Sequence, residues 1–376
     1  MKIGYDAKRA FQNFTGLGNY SRTLIETLTT HFPENEYHLF TPKLNDIPRV
    51  TKVTTHPSVS IHLPNGSLGK KLPALWRSYT IDKDIKKSNV QIFHGLSHEL
   101  PLSIPKNVRT VVTIHDLIHE RYPSFYPFID RKIYSFKFKK ACQQADIVVA
   151  ISEQTKRDII DFYKIEPSKI QVIYQSCDPI FYKNHPLSNP TEIVKKYNLP
   201  TQFMLYVGTV NERKNLLGLV KSLKLLENQG DTNLVVIGDG SAYFQKVKKY
   251  VVENGLQKRV VFIPKIDFTD LPTIYKQARV FVLPSFFEGF GIPIIEALWS
   301  GTPVISSVDS CFEEAGGPDS IYINPNDIEA LAAAINRVWH DENLRNNMIL
   351  RGSYFVKKFS DKGIGEQWIK LYQSLL

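Results

Sequence analysis

The chain repeats one order of elements from end to end: a short apolar run, a loop and an amphipathic helix. The apolar runs predict strands at residues 2–6, 37–41, 59–63, 90–94, 110–115, 147–151, 170–173, 203–208, 233–238, 260–263, 280–284, 303–306 and 320–323. Strands that alternate with helices are typical of parallel sheets covered by helices on both faces. The sequence therefore predicts an α/β fold with two doubly wound, Rossmann-like domains facing a central cleft. Ligands of such sheets bind beyond the carboxyl ends of the strands.

The length of 376 residues exceeds what one hydrophobic core usually organises, so two domains are expected. The stretch 178–200 contains four prolines and separates the two halves. We therefore predict a first domain at residues 1–180, a linker at 181–200, a second domain at 201–355 and a C-terminal helix within 356–376.

The net charge of +10 is uneven. Residues 1–180 contain 25 Lys and Arg against 17 Asp and Glu, whereas residues 181–376 contain 22 against 20. A basic first half suits an anionic acceptor, a membrane surface with anionic lipid, or nucleic acid. The alternative is that the charge serves only solubility.

Three cysteines, Cys142, Cys177 and Cys311, are widely spaced and predict neither a disulfide framework nor a metal site. No apolar run approaches the roughly 18–20 residues that cross a bilayer. The N-terminus enters a strand directly, without the apolar core of a signal peptide. These features predict a cytoplasmic protein.

The most specific motif is Glu288-Gly-Phe-Gly-Ile-Pro-Ile-Ile-Glu296, which follows the predicted strand 280–284 and enters a helix. Gly289 and Gly291 let the backbone approach a ligand, and N–H groups at a helix start favour a phosphate. Glu288 and Glu296 offer acceptors for sugar hydroxyls. The motif predicts a site for a diphosphate between two sugars, which describes a nucleotide sugar; the alternative is an ordinary corner with two exposed glutamates.

A second cationic turn, Gly208-Thr-Val-Asn-Glu-Arg-Lys-Asn215, follows the first strand of the second half. Arg213 and Lys214 there suit a pyrophosphate and would stabilise the charge that develops on a departing nucleoside diphosphate. Such a pair alone is usually only solvated.

In the first half, Thr15-Gly-Leu-Gly-Asn-Tyr20 follows the first strand, and His115-Asp116 ends a later one. A tight turn and a structural histidine are the alternatives. The full dinucleotide fingerprint is absent because Ser21 stands three residues after Gly18, which argues against a dehydrogenase.

Together these segments resemble, in order and over essentially the whole chain, the retaining GT-B glycosyltransferases of glycosyltransferase family 4. The resemblance implies a catalytic set of His115, Arg213, Lys214 and Glu288. It implies donor-binding residues Gly16, Gly18, Gly289, Phe290, Gly291, Glu296 and Lys265, with Asp116, Ser152 and Gly238 as additional candidates. Glu296 would bind the ribose, Glu288 the donor sugar, and Lys265 would border the base. Ser152 has a helix N-cap as its alternative role.

The resemblance also implies retention at the anomeric carbon without a bound metal or other cofactor, and a C-terminal helix that crosses back to the first domain. Within the family, the sequence is most similar to bacterial mannosyltransferases of surface-polysaccharide assembly. GDP-mannose is the first expected donor and a UDP-hexose the second. The acceptor would be a glycan or lipid-linked glycan, reached from the cytoplasm or as a peripheral protein of the inner membrane face.

Two features leave alternatives open. The segment Val172-Ile-Tyr-Gln-Ser-Cys-Asp178 departs from the family's usual Asn-Gly-Val-Asp, so the contacts made there are expected to differ from those of the family. The stretches 70–77 and 136–140 mix aromatic and cationic residues, which suits a membrane interface or a solvated helix face. A same-fold epimerase or phosphorylase, and a basic nucleic-acid-binding protein without transferase activity, remain rival functions. No nucleic acid is expected as a partner, because the sequence contains no recognised nucleic-acid-binding module.

Overall fold

The computed structural model describes residues 1–45, 48–64, 72, 75–183, 188–226, 232–240 and 242–376. Residues 184–187 of the predicted linker and residues 70, 71, 73 and 74 of the stretch 70–77 lie outside these ranges. The chain divides into two compact units: unit 1 is Met1–Ser176 with Phe359–Leu376, and unit 2 is Cys177–Lys358. Among the described helices, none has the length and apolar character needed to cross a membrane.

Unit 1 contains a parallel sheet, which has seven strands in the described ranges. The strands are β1 (Lys2–Asp6), β2 (Glu36–Phe40), β3 (Val59–His62), β4 (Ile92–Gly95), β5 (Arg109–Ile114), β6 (Ile147–Ala150) and β7 (Ile170–Val172), in the order β3-β2-β1-β4-β5-β6-β7. The helices are α1 (Lys8–Gln12), α2 (Gly16–His31), α3 (Pro48–Thr54), α4 (Ile81–Lys87), α5 (Ile118–Arg121), α6 (Phe128–Gln144) and α7 (Glu153–Tyr163). A π-helical turn at Trp76–Thr80 and 3-10 turns at Pro123–Phe125 and Pro167–Lys169 complete the described elements.

Unit 2 contains a second parallel sheet, with six strands in the described ranges. They are β8 (Phe203–Val207), β9 (Asn233–Ile237), β10 (Val260–Ile263), β11 (Val280–Leu283), β12 (Val304–Ser307) and β13 (Ile321–Ile323), in the order β10-β9-β8-β11-β12-β13. The helices are α8 (Pro190–Tyr197), α9 (Leu216–Ser222), α10 (Ala242–Glu253), α11 (Leu271–Gln277), α12 (Ile292–Trp299), α13 (Phe312–Gly316), α14 (Ile328–His340) and α15 (Glu342–Phe355). The 3-10 turns are Pro179–Phe181, Glu212–Lys214, Leu223–Leu225, Phe268–Asp270 and Val356–Phe359.

Local sequence explains these elements. All four residues of β11 are buried, as an unbroken apolar run in a doubly covered parallel sheet predicts. Asp327, Asp341 and Ser152 each accept a backbone N–H in the first turn of the following helix. The predicted pair of doubly wound parallel α/β folds is confirmed.

Each sheet has one place where the strand order reverses direction. β1 lies between β2 and β4 in unit 1, and β8 lies between β9 and β11 in unit 2. The crevice beyond the carboxyl ends of such a strand pair is where doubly wound sheets bind ligands. The predicted segments that follow β1, β8 and β11 therefore begin at these two switch points.

The boundary between the two units differs in detail from the predicted linker at residues 181–200. The segment 181–200 contains α8, which groups with unit 2. The reason is that Asn189 caps α8 and Lys196 contacts Asp270, so residues 188–200 pack within unit 2.

The last helix, α16 (Asp361–Ser374), groups with unit 1. Trp368 and Tyr372 are buried in the core beneath β1, and the Tyr5 hydroxyl lies 3.3 Å from that of Tyr372. His31 lies 2.9 Å from Asp361 at the start of the helix. The C-terminal segment is thus part of the hydrophobic core of unit 1.

Candidate active site

The switch point of unit 2 holds the paired-glutamate motif. β11 ends at Leu283, and the loop that follows leads into α12, whose second residue is Pro293. Gly291 stands at the N-cap with φ +107°, and a Cβ there would lie 3.1 Å from Ile294 Cδ1. Because L side chains rarely adopt this φ, the helix start needs glycine.

Glu288 is the centre of an ionic cluster in this loop. Its Oε2 lies 2.8 Å from Arg213 Nη1, and its Oε1 lies 2.9 Å from Lys214 Nζ. The Ser285 hydroxyl also donates to Oε1 at 3.1 Å. The side chains of Glu288, Arg213 and Lys214 are 13%, 17% and 12% exposed. The cluster therefore presents a net positive charge that is partly open to a ligand.

The two cations hold Glu288 ionised. Burial alone would raise its pKa, but the charges of Arg213 and Lys214 and their hydrogen bonds outweigh that effect, so the pKa falls to about 2. In this conformation Glu288 contacts cations of the protein. These contacts orient the two cations. The contact of Glu288 with the donor sugar stays a prediction.

Two loops are joined at this point. The 3-10 turn at Glu212–Lys214 is capped by Asn211, whose side chain accepts from the backbone N–H of Lys214. The backbone N–H of Phe286 donates to the Arg213 carbonyl at 2.8 Å, and the Arg213 guanidinium donates to the Phe287 carbonyl. The predicted cationic turn and the predicted glutamate loop thus form one site.

Glycines after β8 and β9 give this site its room. Gly208 has φ +141°, and a Cβ there would lie 3.2 Å from Lys214 Nζ. Gly238 has φ +143°, and its Cβ would lie 2.1 Å from the Gly208 carbonyl oxygen. The predicted Gly238 turn therefore lies against the Arg213-Lys214 turn.

Glu296 lies on α12 and is oriented from a neighbouring helix. The buried Tyr275 hydroxyl on α11 donates to Glu296 Oε2 at 3.0 Å.

Phe290 is buried, so its ring packs within the protein. Lys265 is exposed and follows β10, on the far side of β8 and β9 from β11.

Residues that the sequence interpretation missed hold the glutamate loop from β12. Cys311 Sγ donates to the carbonyls of Glu288 and Phe290 at 3.2 and 3.0 Å, and Ser310 Oγ donates to the Glu288 carbonyl at 3.0 Å. Asp309 and Ser310 have positive φ angles of 61° and 84°. The signal was a run of small residues, Ser306-Ser-Val-Asp-Ser310, that begins in the last two residues of β12 and continues into the following loop.

In unit 1, His115 follows β5 and is 4% exposed. Its Nε2 lies 2.9 Å from the Leu96 carbonyl, so Nε2 carries the hydrogen, and Nδ1 accepts from the Gln175 amide at 3.1 Å. Burial lowers the pKa of His115 to about 4, which keeps the ring neutral. Both ring nitrogens are therefore engaged inside the unit, and the catalytic role of His115 stays a prediction. Gln175 lies where the sequence departs from the family pattern.

The remaining predicted residues of unit 1 have local roles. The Ser152 side chain caps α7 by accepting from the Thr155 N–H at 3.0 Å. Asp116 Oδ1 accepts from the Ile118 N–H. Gly16 is exposed at the start of α2, whereas a Cβ on Gly18 would lie 1.9 Å from the Asn13 carbonyl oxygen. Gly18 is therefore required for the close packing of this loop, and Gly16 borders solvent.

Comparisons with known proteins match both halves of the chain. The family model for glycosyl transferases group 1 matches residues 190–353, and that for Glycosyltransferase Family 4 matches residues 14–180. O-antigen chain mannosyltransferase B of Escherichia coli is 28% identical, with all of both chains covered. O-antigen chain mannosyltransferase RfbU of Salmonella typhimurium is 29% identical over 71% of each chain. The Anabaena protein HepE, solved in complex with UDP and glucose, superposes over both whole chains with a TM-score of 0.76 at 18% identity.

Proposed function

Because this chain belongs to the GT-B glycosyltransferases, with a family 4 half and a group 1 half, we propose that it transfers mannose from GDP-mannose to a glycan of a cell-surface polysaccharide. The cluster of Arg213, Lys214 and Glu288 at the switch point of unit 2 is the observation that carries this proposal. The names of the two O-antigen mannosyltransferases support the sugar and the kind of acceptor.

The donor diphosphate would bind at the start of α12. Arg213 and Lys214 face Glu288 there, and the backbone of Gly289–Gly291 leads into the positive end of the helix. Guanidinium and ammonium groups at fixed positions stabilise the charge that grows on the diphosphate as it leaves. Glu296, oriented by Tyr275, would accept from the ribose hydroxyls.

Transfer would proceed with retention at the anomeric carbon. The bond from the anomeric carbon to the diphosphate oxygen breaks, and the bond to the acceptor oxygen forms on the same face. The departing diphosphate oxygen takes the proton of the acceptor hydroxyl, so no protein carboxylate needs to become covalently attached. Since Arg213 and Lys214 supply positive charge at this place, we propose that no bound metal or other cofactor takes part.

We also propose a peripheral location on an anionic membrane surface at the cytoplasmic face. Ile129 and Phe136 on α6 are 71% and 67% exposed, and they line a cavity of about 540 Å³. Lys132, Lys137 and Lys140 line the same cavity. Exposed apolar side chains beside cations suit a lipid interface with negative headgroups. On the same helix, Phe138 and Cys142 pack inward against the core of unit 1.

In the predicted stretch 70–77, the described residue Trp76 lies in the core and not on this surface. Trp76 is buried, and its Nε1 donates to Asp84 Oδ2 at 2.7 Å. A buried indole with a hydrogen-bond partner is part of the core, because its apolar body and its N–H are both satisfied there.

The test is thermal stabilisation by GDP-mannose, GDP, UDP-glucose and UDP. GDP-mannose at about 100 times its Kd should stabilise the wild type by about 2.7 kcal/mol. Arg213→Ala and Glu296→Ala should lose the shift. Arg351→Ala, which removes an exposed arginine paired with Asp319, should retain it.

The other outcomes are also decisive. A shift with UDP-glucose alone would replace the donor by a UDP-hexose. No shift with any nucleotide sugar, beside a clear shift with an oligonucleotide, would reject the transferase and favour nucleic-acid binding through the basic first half.

A further inference from the structure

The segment Gly95-Leu-Ser-His-Glu99 leaves β4 at the switch point of unit 1. Its turn is tight, since a Cβ on Gly95 would lie 2.1 Å from the Glu99 carbonyl oxygen. The His98 N–H donates to the Thr113 carbonyl at 2.9 Å, which ties the turn to β5. Ser97 and His98 are thus held firmly in the place where a doubly wound sheet receives a ligand.

Two consecutive residues of this turn each have a polar side-chain atom with unmet hydrogen-bonding capacity. Ser97 and His98 are 8% and 6% exposed. Ser97 Oγ and His98 Nδ1 are buried, and neither has a hydrogen-bond partner among the described residues. Buried polar atoms are almost always hydrogen-bonded, so two such neighbours at a ligand-binding edge require an explanation.

The backbone and ring of His98 are fixed independently of those atoms. His98 has φ +65°, a conformation that is uncommon for a residue other than glycine and that concentrates at functional sites. Its ring stacks on Phe138 with centroids 4.2 Å apart and lies 5.1 Å from the ring of His115. The strain and the stacking together hold the imidazole in one orientation.

His98 also differs from the histidine that the sequence interpretation chose. Both ring nitrogens of His115 have partners within unit 1, whereas His98 Nδ1 has none in the described part of the chain. Burial lowers the pKa of His98 well below its usual value, so the ring is neutral and offers one N–H and one lone pair. A serine hydroxyl likewise donates and accepts. This pair matches neutral hydroxyl groups better than phosphate, which needs donors only.

We propose that Ser97 and His98 form a binding subsite for hydroxyl groups of the acceptor sugar. The proposal deepens the proposed function and rests on it. The subsite explains why a strained turn keeps two polar side chains in a buried position, since the sugar hydroxyls would complete their hydrogen bonds. Removing one of these partners should weaken acceptor binding and leave the donor site in unit 2 unchanged.

The experiment compares Ser97→Ala, His98→Asn and Ser300→Ala. Asparagine tolerates a positive φ, so His98→Asn keeps the turn and removes the ring. Ser300 has a buried hydroxyl without a partner in the described residues, but at the end of α12, so it is the matched control for Ser97. The probes are GDP-mannose as donor and methyl α-mannoside as acceptor.

We expect the KM for methyl α-mannoside to rise about tenfold in Ser97→Ala and in His98→Asn, as the loss of one or two hydrogen bonds implies. The KM for GDP-mannose and its slow hydrolysis by water should stay at the wild-type level. Ser97→Ala should raise Tm as Ser300→Ala does, because each removes an unpaired buried hydroxyl. Ser300→Ala should not change the acceptor KM.

An unchanged acceptor KM in both variants, with Tm shifted as in the control, would overturn the subsite and leave the two residues a purely structural role. Failure of wild type to bind methyl α-mannoside in saturation-transfer NMR, although GDP-mannose binds and is hydrolysed, would also overturn it. Failure of the proposed function looks different, because GDP-mannose would then neither stabilise nor be consumed by any variant.

Discussion

The switch point of unit 2 is lined by charged side chains that pair with one another, whereas the switch point of unit 1 is lined by neutral polar side chains. In unit 2, Glu288 is paired with Arg213 and Lys214, so the site is charged and internally matched. In unit 1, His115 and His98 are neutral, and His98 Nδ1 and Ser97 Oγ are buried without partners in the described ranges. A site for a diphosphate must hold cations ready before the ligand arrives. A site for hydroxyl groups needs only fixed dipoles.

The strongest way to break this contrast is to remove the anion from the site in unit 2. Glu288→Gln leaves the cations without their counter-charge, so their fixed positions are lost. We expect kcat/KM to fall by about 10²–10³-fold, the range found when one preorganised electrostatic group is removed. Steady-state kinetics with GDP-mannose measures it.

The matched control is Glu342→Gln, which also neutralises a glutamate between two arginines but on the exposed surface. Solvent screens exposed ion pairs, so they contribute little to stability; activity should be unchanged and Tm nearly so. Equal loss of activity in both variants would show that Glu288 has no special task.

The two units should lose stability in different pH ranges as the solution is acidified. His115 and His94 have folded-state pKa values of about 4 and 3, because burial disfavours the charged ring. Below the ordinary value of 6.5 the unfolded chain binds protons that these folded rings refuse. The free energy of unfolding of unit 1 therefore decreases as pH falls from about 6.5 toward 4.

Unit 2 should lose the stabilisation contributed by Glu288 only at a lower pH than unit 1. Glu288 has a folded pKa of about 2, so its stabilisation is complete above the ordinary value of 4.5 and declines only as pH falls from there toward 2. Hydrogen exchange at about pH 7 and 5, corrected for intrinsic rates, should show β5 losing protection before β11. His115→Gln should reduce the slope for β5. Parallel loss in both sheets would contradict this assignment.

The exposed apolar side chains of α6 in unit 1 should bind anionic membranes, whereas an exposed ring of unit 2 should not contribute to this binding. The double variant Ile129→Ser with Phe136→Ser removes two exposed apolar side chains from α6. We expect affinity for vesicles with anionic lipid to fall about tenfold or more, since each buried apolar group contributes to interfacial binding. Tyr354→Ser, which removes an exposed ring from unit 2, is the control and should bind as wild type does. Equal sedimentation of all variants with vesicles would reject the surface.

The smallest expected effect concerns the support of the donor loop. Cys311→Ala removes the donor to the Glu288 and Phe290 carbonyls, whereas Cys311→Ser keeps a donor. We expect the KM for GDP-mannose to rise about threefold in the alanine variant, from a loss of roughly 0.5–1 kcal/mol, with partial recovery in the serine variant. No difference between the variants would limit Cys311 to packing.

The predictability of the fold and the site differs with the kind of interaction. Strand periodicity predicted both sheets, because buried apolar runs in parallel sheets are local in sequence. The convergence of Arg213 and Glu288 followed from strand-end positions that become neighbours when β8 pairs with β11. The role of Gln175 opposite His115 did not follow, since it depends on a contact across 60 residues that no local pattern specifies.

Buried polar atoms set the other limit. Ser97 and His98 looked like ordinary residues after an apolar run, and only burial distinguishes them. Cys311 was read as one of three unrelated cysteines, yet it holds the glutamate loop through its sulfur. Hydrogen-bond partners of this kind are set by tertiary packing, which a single sequence does not encode as a spacing.

The helix α16 has a consequence for how the chain is made. Residues Met1–Ser176 leave the ribosome before unit 2, but Trp368 and Tyr372, which complete their core, leave it after unit 2. Unit 2 is fully synthesised in between and can finish folding earlier. The domain that is begun first is therefore completed second, and at about 5–20 residues per second it spends many seconds with an open core facing chaperones and proteases. A stop codon shortly before Asp361 would spare unit 2 and leave unit 1 without its final layer.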